Sequence, residues 1–236
     1  MTVQGQLRLM LKTVAAALGQ ELNSRLVFVG GCTTALFITD PVTLEDVRAT
    51  DDVDLIMDIL GHGNWVELEK SLLERGFSVS PEDDVVCRRR LGSLKVDFMP
   101  DDEKILGFTN QWYSLGIQTA IKYQIAEDLW IRHLTPPIFV ATKLEAYLGR
   151  GANDPMSSHD LEDVLIVIDG RKELNDEIRS ADEQVRTFIS NQLEAFQSHP
   201  DFDSFIDGNM RRNPGRAKIV RNRISTIIDG SIGKEY

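Results

Sequence analysis

The segment ATDDVDLIMDIL, Ala49 to Leu60, is the stretch that most limits what this chain can fold into. Apolar residues alternate with acidic ones through Val53, Asp54, Leu55, Ile56 and Met57, which reads as a strand, yet Asp51, Asp52 and Asp54 crowd its entrance. A strand shows every second residue on one face, so Asp52 and Asp54 project together while Asp51 and Val53 project from the other side. Like charges side by side repel, and burial sharpens the repulsion. A fold that keeps this strand has to bring positive charge against Asp52 and Asp54.

The chain has 236 residues, 42% of them apolar and 27% charged, enough for one large domain or a domain with a helical extension. No apolar run reaches the roughly 18 residues of a membrane span, and the first residues lack the basic cluster and cleavage pattern of a leader, so the expectation is a cytoplasmic protein without membrane association. Cys32 and Cys87 are too few for a disulfide framework or a thiolate metal site. A formal charge of -11 argues against a general nucleic-acid binder. Two basic clusters stand out against it. Met210 to Arg223 carries six basic residues and no acidic one, and Arg88 to Arg90 is a run of three. Both are expected either as solvated surface or, for the first, as a guide for a polyanion.

Periodicity predicts a helix from about Gln4 to Gln20, a strand Leu26 to Val29 running into two glycines, and a short helix Thr33 to Ile38. After the acidic strand comes an amphipathic helix stopped at Gly76, then a hairpin turning near Gly92 and ending at Pro100. Ile105 to Ile131 is mixed in pattern, Pro136 and Pro137 break the chain, and a short helix closes at Gly149. SSHDLEDVLIVIDGR then opens a helix at a serine cap, placed at Ser157, and helical patterns continue to the end. The predicted fold class is α+β, with a small mixed sheet and flanking helices over residues 1–100 and a mostly helical portion over residues 101–236 that completes the active site.

Three polar elements follow one another in the first portion. VGG ends a strand and opens a helix, DVD starts the next strand, and VDF places Asp97 on a later one. Glycines at such a turn let a ligand approach the backbone, and the start of a helix favours an anion. Carboxylates on neighbouring strands suit a hard cation such as Mg²⁺, which leaves positions for phosphates. Singly, each piece has an ordinary structural explanation: a turn, a solvated strand end, a common tripeptide. Their order describes a nucleotide and metal site.

Gly30, Gly31, Asp52, Asp54 and Asp97 resemble the hG[GS], Dh[DE]h and h[DE]h pattern of the DNA polymerase β-like nucleotidyltransferase superfamily. NQWYSLGI, FVATKLEAYLGRG and SSHDLEDVLIVIDGR narrow the resemblance to the AbiEii/AbiGii-type toxin-like nucleotidyltransferases of bacteria, over about Val27 to Arg171. The resemblance implies a nucleotidyltransferase core in which Gly30 and Gly31 hold the triphosphate of an NTP. It implies Asp52 and Asp54 as ligands of Mg²⁺, two ions in all, with Asp97 sharing a metal and activating the acceptor hydroxyl. Lys143 would contact nucleotide phosphates, and Asp160 and Asp163 match the family's later acidic pair. The interval from Gly31 to Asp52 is longer than in compact members, which leaves Asp51 as a rival ligand.

The implied activity is transfer of NMP from an NTP to a hydroxyl with release of pyrophosphate, in a toxin-like enzyme countered by an antitoxin protein, with tRNA or another RNA as acceptor. Adenylyl transfer to a small molecule of the antibiotic type is the second expectation, and a catalytically silent nucleotide-binding or interaction module the third. Some later residues have structural alternatives. Asp160 lies three residues after Ser157, as in a capping box, and Asp163 shares its face. Tyr147 and Arg150 share the face of Lys143. His159 and Asp163 stand four residues apart, but no third ligand accompanies them, which argues against zinc. Trp112 and Tyr113 are expected in packing, with base stacking as the alternative. If the basic segment guides RNA, replacing Arg212, Arg216 and Arg221 with Ala should weaken RNA binding in a salt-dependent way.

Overall fold

In the computed structural model, residues 1–58, 62–150, 154–211 and 213–231 are described. The first helix, α1 (Val3–Arg25), buries Leu7, Met10, Leu11, Val14 and Leu18 at helical spacing. It runs past the predicted Gln20, with a non-helical break at Gly19. Next come β1 (Val27–Val29), a 3-10 turn over Gly31–Thr33, α2 (Thr34–Phe37) and β2 (Asp52–Met57). Then follow α3 (His62–Glu74), β3 (Phe77–Ser78), β4 (Arg88–Leu91), β5 (Leu94–Pro100), α4 (Glu103–Leu106), α5 (Tyr113–Thr119), β6 (Ile121–Ala126) and β7 (Leu129–His133). The described residues that follow are mostly helical: α6 (Pro136–Gly149), α7 (His159–Gly170), α8 (Leu174–Arg179), α9 (Glu183–Gln197), α10 (Phe202–Asn209) and α11 (Pro214–Ser231). No helix among the described residues is long and apolar enough to cross a membrane.

The class is α+β with a mixed sheet, but the sheet is not small. Seven strands are ordered β3-β4-β5-β2-β1-β7-β6, with β2 parallel to β5 and β1 parallel to β7, and the remaining pairs antiparallel. The unexpected part is the β6–β7 hairpin, whose tight turn holds Asp128 at φ 56, a conformation that Asp tolerates. Polar bonds fasten α1 to this hairpin: Arg8 donates to the Ile125 carbonyl at 2.6 Å, and the Asn23 amide donates to the Trp130 carbonyl.

The chain divides into two compact units, and not at residue 100. The first comprises Met1–Ala35 and Arg48–Thr135, and the second Leu36–Val47 and Pro136–Tyr236. Residues 101–135 go with the sheet because β6 and β7 extend it. The segment 36–47 goes with the helices because Thr39 and Asp40 both donate backbone N–H groups to the Gly170 carbonyl at 2.9 Å. Gly170 is required there, since a Cβ would stand 2.7 Å from Ile38 Cγ2. In the second unit, Pro136 and Pro137 begin α6 rather than interrupting a helix, as first-turn prolines do.

The C-terminal basic segment has an internal use. Arg216 donates from Nε to both carboxylate oxygens of Asp169, at 2.7 and 2.8 Å, and from Nη1 to Asp40 at 3.0 Å. Arg223 donates to the carbonyls of Ile168 and Asp169, and Arg221 pairs with Asp203 and Asp207. These pairings engage three of the segment's six basic residues; Arg211 and Lys218 are exposed, and Arg212 lies outside the described residues. Asp169 is buried, and Thr43 also donates to it at 2.6 Å. Arg216→Ala leaves that carboxylate without its cation and is expected to lower unfolding stability by about 3 kcal/mol. Urea unfolding checks this, and a loss no larger than that of an exposed surface pair would contradict it.

Candidate metal centre

Three strands of the first unit meet at the carboxylates. β2 and β5 run parallel with Asp54 opposite Asp97 and Asp52 opposite Lys95. Directly paired residues share a face, so Asp52, Asp54 and Asp97 project from one side of the sheet. Val53, Leu55, Val96 and Phe98, on the other face, are buried. Their burial fixes the register, because a slip of one residue would turn the aspartates into the core. One carboxylate oxygen from each of Asp52, Asp54 and Asp97 lies within 4.8 Å of the others. Asp97 is buried, while Asp52 and Asp54 are half-buried.

The glycine turn meets this cluster from β1, where Val29 pairs with Asp54. Gly30 has φ 73 and ψ -172, a region essentially reserved for glycine. A Cβ on Gly30 would stand 2.6 Å from Cγ of Asp54 and closer still to its Oδ2. The carboxylate thus occupies the space that any larger residue would fill. Gly31, Cys32 and Thr33 are buried in the turn, and the Thr34 hydroxyl is a buried polar atom with no hydrogen-bond partner.

The positive charge that the acidic strand calls for comes from Arg88. It stands opposite Asp97 in the antiparallel β4–β5 pair and donates from Nε and Nη2 to the two oxygens of Asp97 at 2.8 and 2.7 Å. The same Nη2 lies 3.7 Å from Asp52. Hydrogen bonding to Asp97, outweighing the effect of burial, raises the Arg88 pKa and keeps the guanidinium charged. The run Arg88 to Arg90 is therefore not a solvated cluster: Arg89 pairs with Glu69, and Arg90 forks onto Asp83 at 2.7 Å through both contacts. Asp51 lies outside the group whose oxygens converge: it pairs with Lys95 at 2.6 Å, and that hydrogen bond holds its carboxyl below the usual range.

Cys87 adjoins the cluster as a buried thiol. Burial first, then the charges of Asp97 and Asp54, push its pKa from 9.0 up to about 12. Its contribution to stability is fully present below pH 9.0 and is lost as pH rises through about 12, because the unfolded thiol ionises first. The parent chain is expected to lose stability faster than Cys87→Ala across that window. Parallel decline of the two in thermal unfolding would contradict this.

The later residues also come together, within the second unit. Lys143 lies 3.1 Å from Asp160 and 2.7 Å from Asp163, and Arg150 lies 2.7 Å from Asp160. Lys143, Asp160 and Asp163 are all buried. Asp160 therefore serves Lys143 and Arg150 rather than the helix start. The cap of α7 is Ser158, not Ser157, because Ser158 has the extended backbone of a cap and accepts from the Leu161 N–H. Tyr147 is held above its ordinary pKa by burial and by Asp154. His159 is bonded to Glu162 at 2.8 Å on an exposed face, apart from the buried Asp163. Trp112 is buried, in agreement with packing, and the Tyr113 hydroxyl reaches Met99 Sδ at 3.5 Å.

Arg88 is the site residue that sequence reasoning missed, and a signal for it exists. Gly92 and Ser93 form a two-residue hairpin loop with Gly92 at φ 60, and Leu91 pairs with Leu94. That loop fixes the register and places Arg88 opposite Asp97. No family model matches the chain, and a search of curated proteins gives no match.

Proposed function

We propose that this chain is a Mg²⁺-dependent nucleotidyltransferase that moves NMP from an NTP to an acceptor hydroxyl. The observation that carries the reading is the convergence of Asp52, Asp54 and Asp97, with ligand oxygens within 4.8 Å, beside a glycine turn that Asp54 itself fills. The donor set fits the ion: all three ligands are carboxylate oxygens. Mg²⁺ held there would act as a Lewis acid toward the phosphoryl oxygens.

In the proposed reaction the acceptor oxygen bonds to the α-phosphorus, the bond to the β-phosphate breaks, and pyrophosphate leaves with the electron pair. The hydroxyl proton passes to a base, a role assigned to Asp97, whose orientation is held by Arg88. The resemblance assigns Gly30 and Gly31 to the triphosphate, and the Asp54 carboxylate stands directly against Gly30. Most of the catalysis in such transfers is positioning and neutralisation of charge, which is the chemistry available to these residues. The resemblance assigns Lys143, Asp160 and Asp163 to the nucleotide. Their mutual pairing means that a phosphate contact by Lys143 would require a phosphate oxygen to replace a carboxylate.

A toxin-like role with an antitoxin partner rests on the resemblance. For the acceptor, Arg216, Arg221 and Arg223 are paired within the chain while Arg211 and Lys218 are exposed, and RNA and a small molecule of the antibiotic type both stand as readings. Incubation with each α-labelled NTP and Mg²⁺, in parallel with cell RNA and with a panel of aminoglycosides, tests both. Label in either acceptor supports the transferase; no label in any acceptor and no pyrophosphate release would remove it.

A further inference from the structure

The acidic cluster has a cation of its own, with consequences for any other cation that enters. Register places Arg88, Asp97 and Asp54 in one row across β4, β5 and β2. The guanidinium occupies both oxygens of Asp97 and lies 3.7 Å from Asp52, so it spans two of the three carboxylates. Its side chain is only 16% exposed, so solvent screens it poorly. Other basic groups on β4 and β5 are already engaged, Arg90 by Asp83 and Lys95 by Asp51. The Arg88 guanidinium offsets part of the charge of the three carboxylates. A divalent ion that enters meets the opposing charge of Arg88 and finds Asp97 already engaged.

We infer that Arg88 is a positioning residue that acts as resident counter-cation of the carboxylate cluster, holding Asp97 in place without metal and setting the affinity for the divalent ion by competing with it. This rests on the proposed metal site. It differs from a purely structural role in sign. A residue that only shaped Asp97 would weaken metal binding when replaced, whereas a competing cation strengthens it when neutralised.

The test is titration with Mn²⁺, read by the electron paramagnetic resonance of the free ion, on the full chain and on Arg88→Gln, Arg88→Lys and Asp54→Asn. Arg88→Gln removes the charge and is expected to lower the Mn²⁺ dissociation constant about tenfold. The metal-free variant melts at a lower temperature than the parent and regains the difference in Mn²⁺. Arg88→Lys keeps the charge and stays within about threefold of the parent. If the parent binds Mn²⁺ but Arg88→Gln binds it equally or more weakly, the inference falls while the metal site stands. If the parent binds no more Mn²⁺ than Asp54→Asn, both fall. Should Arg88→Gln not fold, the Nε–H resonance of Arg88 in the unmodified chain decides: it shifts on saturation with Mg²⁺, and an unmoved resonance overturns the inference.

Discussion

Asp54→Asn is expected to leave a folded chain whose nucleotidyl transfer is lower by about 10³-fold. The substitution keeps the shape of the side chain and removes one of three negative charges whose oxygens lie within 4.8 Å of one another. The amide keeps the packing of the side chain, so the variant is expected to remain folded. Loss of function in a chain that still folds separates a functional carboxylate from one without which the sheet does not form. Circular dichroism and urea unfolding check the fold, and label transfer from NTP checks the activity. A folded Asp54→Asn with near-parental transfer would rule out the metal assignment.

Gly30→Ala is the second large effect, and Gly19→Ala is its control. Both glycines sit in nearly the same backbone region, φ 73 and ψ -172 for Gly30 and φ 71 and ψ 170 for Gly19. Each alanine therefore carries a similar backbone penalty of about 1–3 kcal/mol. Their surroundings differ. A Cβ at Gly19 meets nothing within 4 Å, while one at Gly30 collides with the Asp54 carboxylate. Gly30→Ala is expected to cost at least about 2 kcal/mol more than Gly19→Ala and to abolish Mn²⁺ binding by displacing Asp54. Equal unfolding midpoints for the two variants would show that Asp54 yields freely, and the tight fit at Gly30 would lose its meaning.

Local patterns made much of the first unit legible. The strand from Asp52, the turn at Gly30 and the hairpin at Gly92 are short-range features, governed by alternation and by glycines at positive φ. The three aspartates could be placed on one face because period-2 facing is a property of the strand itself. What the pattern could not supply was pairing over distance. The β6–β7 hairpin lay in a stretch of mixed pattern, and joining it to β1 enlarged the sheet.

Charge misled for the same reason. Arg88, Arg216 and Arg221 look like surface when read along the chain, because their carboxylates lie 9, 47 and 18 residues away. Lys143 shares a helix face with Tyr147 and Arg150, yet its partners come from α7. The assignment of 36–47 to the helical unit likewise depends on bonds to Gly170, far along the sequence.

The most direct measurement is anomalous X-ray scattering from crystals grown or soaked with Mn²⁺. Density is expected within coordination distance of Asp52, Asp54 and Asp97, beside Gly30. Crystals that carry Mn²⁺ on other carboxylates while these three remain bare would contradict a metal centre in this chain.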